Sequence, residues 1–435
     1  MRNLTNNTKE KKIAFYTLGC KLNFAETSMI SRQFIEKGYK KVGLDSGADI
    51  FIINTCTVTQ VADKKCRQAI KKVTGKGAKV VVIGCYSQLK PDEISSIEGV
   101  DLVLGTKEKF NVVEHVENLL KGKSNKFITG NTSEIREFEA AFSTNDRTRA
   151  FMKVQDGCDY YCSYCTVPIA RGRSRNESIA EVLKHTKTIA SKGIEEIILT
   201  GVNIGDFGKS TNEDFFQLIL ELDKASDIKR FRISSIEPNL LSDEIISFVQ
   251  HTHKFVPHFH IPLQSGCDKI LFLMNRRYNI NLFASRVNRI KSLMPFACIG
   301  TDVIVGFPGE TEEDFDMTYS FLESLDVNYL HVFPFSERPD TKAVLLKNKV
   351  KSIEKTKRSR LLLQMSESKK TGFYALNAGR TENVIFESKN HFGKMFGFTS
   401  NYIKVEAPFN KDLIGRVMEI KLKTINLKGN FEVDL

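Results

Sequence analysis

The sequence predicts an α/β protein in three parts: an N-terminal doubly wound parallel sheet, a central incomplete (βα)6 barrel and a C-terminal small all-β barrel. Three observations predict it. From residue 13, apolar runs of strand length alternate with helical stretches, the pattern of a parallel sheet covered on both faces. After a polar, charged linker at 134–148, the alternation resumes for six further units. Beyond Gly379 the period shortens to strict alternation with turn residues between the runs. A chain of 435 residues is long for one core. The domains expected are 10–125, 144–370 and 372–435.

In the first part, the apolar runs 13–18 (IAFYTL), 49–54 (DIFIIN), 79–83 (KVVVI) and 100–104 read as strands, with helices at 23–37, 61–73 and 110–121. Three of the runs end at Gly19-Cys20, Thr55-Cys56 and Gly84-Cys85. The carboxyl ends of parallel strands line the binding crevice of such sheets. Cys20, Cys56 and Cys85 therefore hold one topological position three times, and their thiols are expected to converge at one sheet edge. The alternative is three small buried apolar residues. Cys66 falls mid-helix and reads as structural.

The second part offers strands at 150–154, 196–200, 231–236, 258–263, 298–305 and 329–335, separated by helices at 177–192, 213–225, 242–252, 280–294 and 311–325. Active residues in (βα) barrels sit at the carboxyl ends of strands. The first strand runs into Gly157-Cys158-Asp159-Tyr160-Tyr161-Cys162-Ser163-Tyr164-Cys165. One tight loop can present Cys158, Cys162 and Cys165 to a common centre. Thiolates select iron–sulfur clusters or soft metals. A structural zinc site wants four protein ligands, and no further cysteine or histidine follows before His185. A four-iron cubane on three cysteines leaves one iron open to another ligand; zinc with a distant fourth ligand is the alternative. Cys267 and Cys298 have no partner pattern and read as structural. His258 and His260 share a strand face and read as packed or hydrogen-bonded, with a metal as the alternative.

The net charge of +12 points to an anionic partner such as nucleic acid, against the plainer reading of a basic surface. Residues 342–370 carry ten Lys/Arg against two acids. They read as a helix with Val350, Ile353, Leu361, Leu362 and Met365 available to pack, its charges either contacting phosphates or solvated. In the last part, strands are expected at 383–387, 394–399, 402–407 and 415–423. Phe392, Lys394, Phe396, Phe398, Tyr402 and Lys404 interleave aromatic and basic groups, which suits single-stranded RNA, with barrel core as the alternative for the phenylalanines. Nine cysteines, an odd number in a long chain, argue for metal binding in a reducing compartment rather than a disulfide framework. Residues 1–12 lack an apolar signal core and no run approaches membrane-spanning length, so a cytoplasmic protein with no membrane partner is expected.

Cys158-x3-Cys162-x2-Cys165, with Tyr164 before the last cysteine, resembles the loop of the radical S-adenosylmethionine (SAM) superfamily. The resemblance implies that the open iron is chelated by the amino and carboxylate groups of SAM, and that reductive cleavage yields a 5′-deoxyadenosyl radical. The remaining strand ends then read as a SAM cleft. Gly201 and Asn203 offer close approach and backbone amides to the methionine carboxylate; Ser235 and Glu237 suit ribose or the amino group; Gln264 and Gly306 complete the rim with Tyr164. Singly, each glycine is plain turn chemistry.

Across nearly the whole chain the sequence is similar to the methylthiotransferases. Thr17-Leu18-Gly19-Cys20-Lys21-Leu22-Asn23, Asn54-Thr55-Cys56 and Gly84-Cys85 resemble that family's auxiliary-cluster segments. Pro168 and Arg171-Gly172 after the Cys165 loop, His260 to Gly266 (HIPLQSG), and 302–311 match further segments. The last part resembles a TRAM domain, an RNA-binding module. The resemblance implies two 4Fe-4S clusters, on Cys20, Cys56 and Cys85 and on Cys158, Cys162 and Cys165. It also implies SAM as methyl donor and radical source, an electron donor, a sulfur source of unassigned identity, and the anticodon stem-loop of tRNA as partner. Leu18 and Lys21 look like the branch acting on threonylcarbamoyladenosine; the isopentenyladenosine branch usually has Tyr and Gln there. The basic run Gly172-Arg173-Ser174-Arg175 lies where the family varies. The implied reaction replaces hydrogen at carbon 2 of the modified adenosine by a methylthio group. That C–H bond is not acidic, so acid–base catalysis cannot start there and a radical can. No catalytic side chain beyond the clusters is expected. A ribosomal-protein aspartate as substrate, and a non-enzymatic iron–sulfur RNA sensor, are the rival readings.

Overall fold

The computed structural model describes residues 10–123, 125–144 and 148–433. The polar amino-terminal stretch falls outside the described residues up to position 9, as does the 145–147 portion of the expected linker. The chain forms two compact units: Met1–Ser143 with Thr166–Arg173, and Thr144–Cys165 with Ser174–Leu435.

The first unit is built on a wholly parallel sheet. Its order is Lys40–Lys41, Lys12–Thr17, Ile50–Thr55, Lys79–Gly84, Leu102–Leu104 and Phe127–Ile128. Every residue of Ile50–Thr55 is buried, and successive residues supply opposite cores. Ile50 and Ile52 pack with Ile30 and Phe34, while Phe51 and Ile53 pack with Ile70 and Val73. Burial on both faces explains the continuous apolar run where a half-exposed strand would alternate. Each such side chain contributes roughly 1.5–3 kcal/mol. The helix expected at 61–73 is Gln60–Val73, capped by Thr59, whose hydroxyl accepts from the Ala62 amide.

In the second unit, Ala150–Lys153, Glu196–Thr200 and Arg230–Ile233 form one parallel run, and His258–His260, Cys298–Val305 and Tyr329–Pro334 another. Parallel bridges from Phe231 to Phe255 and from Ser235 to His260 join the two, so six strands follow one another in chain order. Helices Ile179–Ala190, Phe215–Ala225, Asp243–His251, Ile280–Leu293 and Glu312–Ser324 separate them. Capping boxes start two of these: Asp214 with Gln217, and Thr311 with Asp314 directly after the Gly306 turn.

The basic stretch folds as Ser352–Leu376. Leu362 and Met365 are buried, but Ile353 and Leu361, expected to pack, are exposed. Much of its charge is committed within the unit. Arg358 is buried on Glu310 at 2.6 Å, Lys357 meets Glu312 at 3.3 Å, and Lys369 donates to the Leu325 carbonyl at 2.8 Å. The helix continues past 372, and its Phe373 and Tyr374 enter the core of the C-terminal curled sheet. That sheet has the expected strands as Thr381–Phe386, Lys394–Thr399, Lys404–Pro408 and Val417–Lys421, plus short Thr424–Ile425 and Phe431–Glu432. Of the interleaved aromatics, Phe392 is fully exposed. Tyr402 stacks between His258 at 4.4 Å and Phe398 at 5.0 Å, so this pair packs against the barrel strands. Among the described residues no helix is long and apolar enough to cross a membrane.

Candidate active site

Cys20, Cys56 and Cys85 follow Lys12–Thr17, Ile50–Thr55 and Lys79–Gly84, three strands that are direct neighbours in the sheet. The glycines before two of them are dictated by space and conformation. Gly19 has φ +101°, and a Cβ there would lie 2.5 Å from Cys56 Cβ. Gly84 has φ +103°, and its Cβ would lie 2.5 Å from Asn54 Oδ1 and 2.6 Å from the Thr55 carbonyl. Buried Asn23 clasps the two loops: its Nδ2 donates to Leu18 O at 2.8 Å and Thr55 O at 3.0 Å. Its Oδ1 accepts from Cys20 Sγ at 3.8 Å and from Arg171 at 2.7 Å. Arg171 also meets Glu26 at 3.0 Å, and Lys109 meets the other oxygen of Glu26 at 2.7 Å. Two cations thus share one buried carboxylate beside this cysteine set. Burial, with Cys20 and Cys85 nearby, pushes the Cys56 thiol up to about 12. A bound metal group has to displace that proton. Cys66, mid-helix as expected, donates to the Cys56 carbonyl at 3.2 Å and braces the loop from behind.

In the second unit, the Cys158–Cys165 loop leaves Ala150–Lys153 at the carboxyl end. The turn is pinned by Ser163, whose amide donates to Met274 O at 3.0 Å and whose hydroxyl donates to Leu273 O at 2.7 Å. Burial pushes the Cys158 thiol up to about 12. Burial also raises Cys162, against the opposing pull of Arg276, whose guanidinium donates to its sulfur at 3.1 Å. Arg276 pairs with Glu237 and reaches Tyr164 Oη at 3.4 Å and Tyr278 Oη at 3.1 Å. Tyr278 in turn donates to Pro262 O at 2.7 Å and Leu263 O at 2.9 Å, just before Gln264. Gln264 takes φ +67°, rare for a side-chain-bearing residue. Tyr164, Glu237 and the Gln264 turn are therefore tied to Cys162 through one arginine.

Gly201 and Asn203 sit elsewhere on the rim, with one revision. The amides of Val202 and Asn203, expected to receive a carboxylate, both donate to Gln155 Oε1 at 2.9 Å. Gln155 Nε2 donates to Gly157 O at 2.7 Å, so this buried side chain locks the second rim loop to the cysteine loop. A Cβ at Gly201 would stand 2.9 Å from Gln155 Oε1. Gly306 is also otherwise engaged. Its amide donates to Glu310 at 2.5 Å, and a Cβ there would strike Lys355 at 2.4 Å. Ser235 joins its strand to His260 by a backbone bridge. Asn203 Oδ1 and Ser234 Oγ are buried with no hydrogen-bond partner among the described residues. The polar rim and the two thiol sets fit a polar cofactor and iron–sulfur clusters in their donor chemistry. Gln155, Arg276 and Lys109 escaped the sequence reading. The available signals were a glutamine ending a buried strand and an arginine pair at 276–277.

His260, Asp302 and His331 bring ligand atoms within 4.8 Å of one another. His260 Nε2 meets Asp302 at 2.9 Å, His331 Nδ1 meets it at 3.2 Å, and Tyr329 Oη lies 3.0 Å from His258 and 3.2 Å from His260. The expected hydrogen-bonded state of His258 and His260 is what the geometry presents. Burial alone would raise the Asp302 carboxyl, but the two imidazoles hold it well below the usual range.

Residues 152–322 match the Radical SAM superfamily and residues 12–105 match Uncharacterized protein family UPF0004. Threonylcarbamoyladenosine tRNA methylthiotransferase MtaB of Aquifex aeolicus is 36% identical over 94% of this chain and 99% of that protein. The protein of that name from Bacillus subtilis is 36% identical over 94% and 93%. The tRNA-2-methylthio-N(6)-dimethylallyladenosine synthase of Endomicrobium trichonymphae is 31% identical over 95% and 98%. The solved radical SAM methyltransferase TsrM of Kitasatospora setae shares the fold, with a TM-score of 0.57 at 12% identity over 74% of this chain and 73% of that one. With such identity sustained over almost its whole length, the chain belongs to the radical SAM methylthiotransferases, enzymes whose cofactors are SAM and two 4Fe-4S clusters.

Proposed function

We propose that the protein adds a methylthio group to carbon 2 of N6-threonylcarbamoyladenosine beside the anticodon of tRNA, in the cytoplasm. The observation that carries the reading is the pair of three-thiol sets, one at three adjacent strand ends and one in the barrel's first loop. Three protein ligands leave one iron of a cubane open in each. Cys158, Cys162 and Cys165 hold the cluster that cleaves SAM; Cys20, Cys56 and Cys85 hold the one that carries the sulfur to be transferred. Bound SAM supplies the radical and the methyl group. The chain's own groups bind and orient: Glu237 and Asn203 present polar atoms to SAM, and Tyr164, Ser235, Gln264, Gly201 and Gly306 shape the rim.

The substrate is supported by Leu18 and Lys21 around Cys20, and by relatives of that printed activity at 36% identity, against 31% for the dimethylallyladenosine synthase. Nucleoside mass spectrometry of tRNA from cells with and without the protein tests it. Loss of 2-methylthio-threonylcarbamoyladenosine, with its unthiolated precursor accumulating, is expected. Loss of the methylthio-isopentenyl nucleoside would move the enzyme to the other branch. An unchanged tRNA profile would refute both.

A further inference from the structure

We infer that Arg276 is a positioning residue that sets the reduction potential of the SAM-cleaving cluster; this rests on the reading that Cys158, Cys162 and Cys165 hold that cluster. Only 3% of its side chain is exposed, yet it carries a charge that no accessible pH removes. A buried cation is costly unless every donor is placed. Each donor contact is to one piece of the same rim: Cys162 Sγ at 3.1 Å, Tyr164 Oη at 3.4 Å, Tyr278 Oη at 3.1 Å, and Glu237. The guanidinium also lies over the Tyr278 ring, 4.9 Å from its centroid.

Two consequences follow from physical chemistry. Hydrogen bonds to ligating sulfur and nearby charge are among the terms that set an iron–sulfur potential. A fixed positive charge donating to Cys162 favours the state with the added electron. Glu237 is the counterweight: paired with the guanidinium, its carboxylate pulls the same potential the other way. The fork geometry matters too, since an ammonium cannot serve a thiolate, a carboxylate and two phenols from one plane. Because Tyr278 holds the carbonyls of Pro262 and Leu263, the same arginine fixes the Gln264 turn.

The test uses full-length protein with Cys20, Cys56 and Cys85 replaced by Ala, so that one cluster remains. The potential is read by dye-mediated titration of the reduced-cluster EPR signal. Arg276→Gln should lower the reduced-to-oxidised ratio about tenfold at a fixed applied potential, equivalent to about 59 mV for one electron. Glu237→Gln should raise that ratio, and Arg276→Lys should fall between Gln and the parent. Opposite signs at the two positions distinguish charge from loose packing. Equal potentials in Arg276→Gln and the parent would overturn the inference, as would shifts of the same sign at both positions. If Arg276→Gln retains no iron, Arg276→Lys decides; loss of iron from both would assign Arg276 to assembly and overturn the tuning role. A parent protein that binds no cluster would instead refute the cluster reading itself.

Discussion

Glu26→Ala removes the one carboxylate that Lys109 and Arg171 share in the first unit. The three side chains are 0%, 1% and 3% exposed, so solvent cannot take over from it. Breaking a buried pair by deleting one partner typically costs about 3–5 kcal/mol, because the remaining charge is left uncompensated. Here two cations are left, although Arg171 keeps its 2.7 Å bond to Asn23. The lower end of that range is therefore the floor expected. Amide exchange in the fully buried Ile50–Thr55 strand reports the unit's own opening. At about 1.4 kcal/mol per tenfold, its exchange should accelerate by roughly two to three and a half powers of ten. Glu26→Gln keeps an acceptor and should lose less. Glu26→Gln with Lys109→Met removes the second cation and should recover much of the loss. Acceleration below tenfold in Glu26→Ala would show that the network is not what holds this corner. The same variant should lose iron at Cys20, Cys56 and Cys85 first, because Arg171, which holds Asn23 Oδ1, would lose the carboxylate that anchors its guanidinium.

Replacing Cys20, Cys56 and Cys85 together should leave one cluster, continued release of 5′-deoxyadenosine and no methylthio product; iron equal to two clusters would contradict the assignment. Gly84→Ala forces a Cβ to 2.5 Å from Asn54 Oδ1 at φ +103°, so it should destabilise by about 1–3 kcal/mol or more and shed the same cluster, read by iron content and urea unfolding. Burial would raise the Glu196 carboxyl, but Arg230, Arg232 and Arg149 override it and hold it down to about 2. Its stabilisation, about 3 kcal/mol, is therefore present above its unfolded value near 4.3 and is lost as pH falls through about 2. Glu196→Gln should flatten stability between those limits, and an unchanged acid limb of the unfolding curve would count against the arginine cluster. Exchanging the exposed Lys342, Lys347, Lys351 and Arg360 for Gln should weaken tRNA binding and reduce its log–log salt slope by up to about four, at roughly one per phosphate contact. A constant slope would return that stretch to a solvated face.

The sequence alone determined the layout because strand and helix periods differ and burial follows them. Ile50–Thr55 could be read as a doubly covered strand from its unbroken apolar run, and Gly19-Cys20, Thr55-Cys56 and Gly84-Cys85 marked the strand ends that carry the thiols. The Cys158–Cys165 spacing is local, so it was legible without a fold. Two-residue strands such as Phe127–Ile128 and Phe431–Glu432 are too short to show a period, and only pairing reveals them. Tertiary structure alone decided which rim amides are already taken, since Gln155 reaches Asn203 across 48 residues. It decided that Ile353 faces solvent, because a helix face is chosen by what it packs on and not by its own composition. It also decided the partners of the buried charges: Arg276 finds Cys162 across 114 residues, and Arg171 finds Glu26 across 145. A charge far along the chain has no periodicity to announce its partner, and burial fixes it only when the helices and loops that carry both ends have closed into one unit.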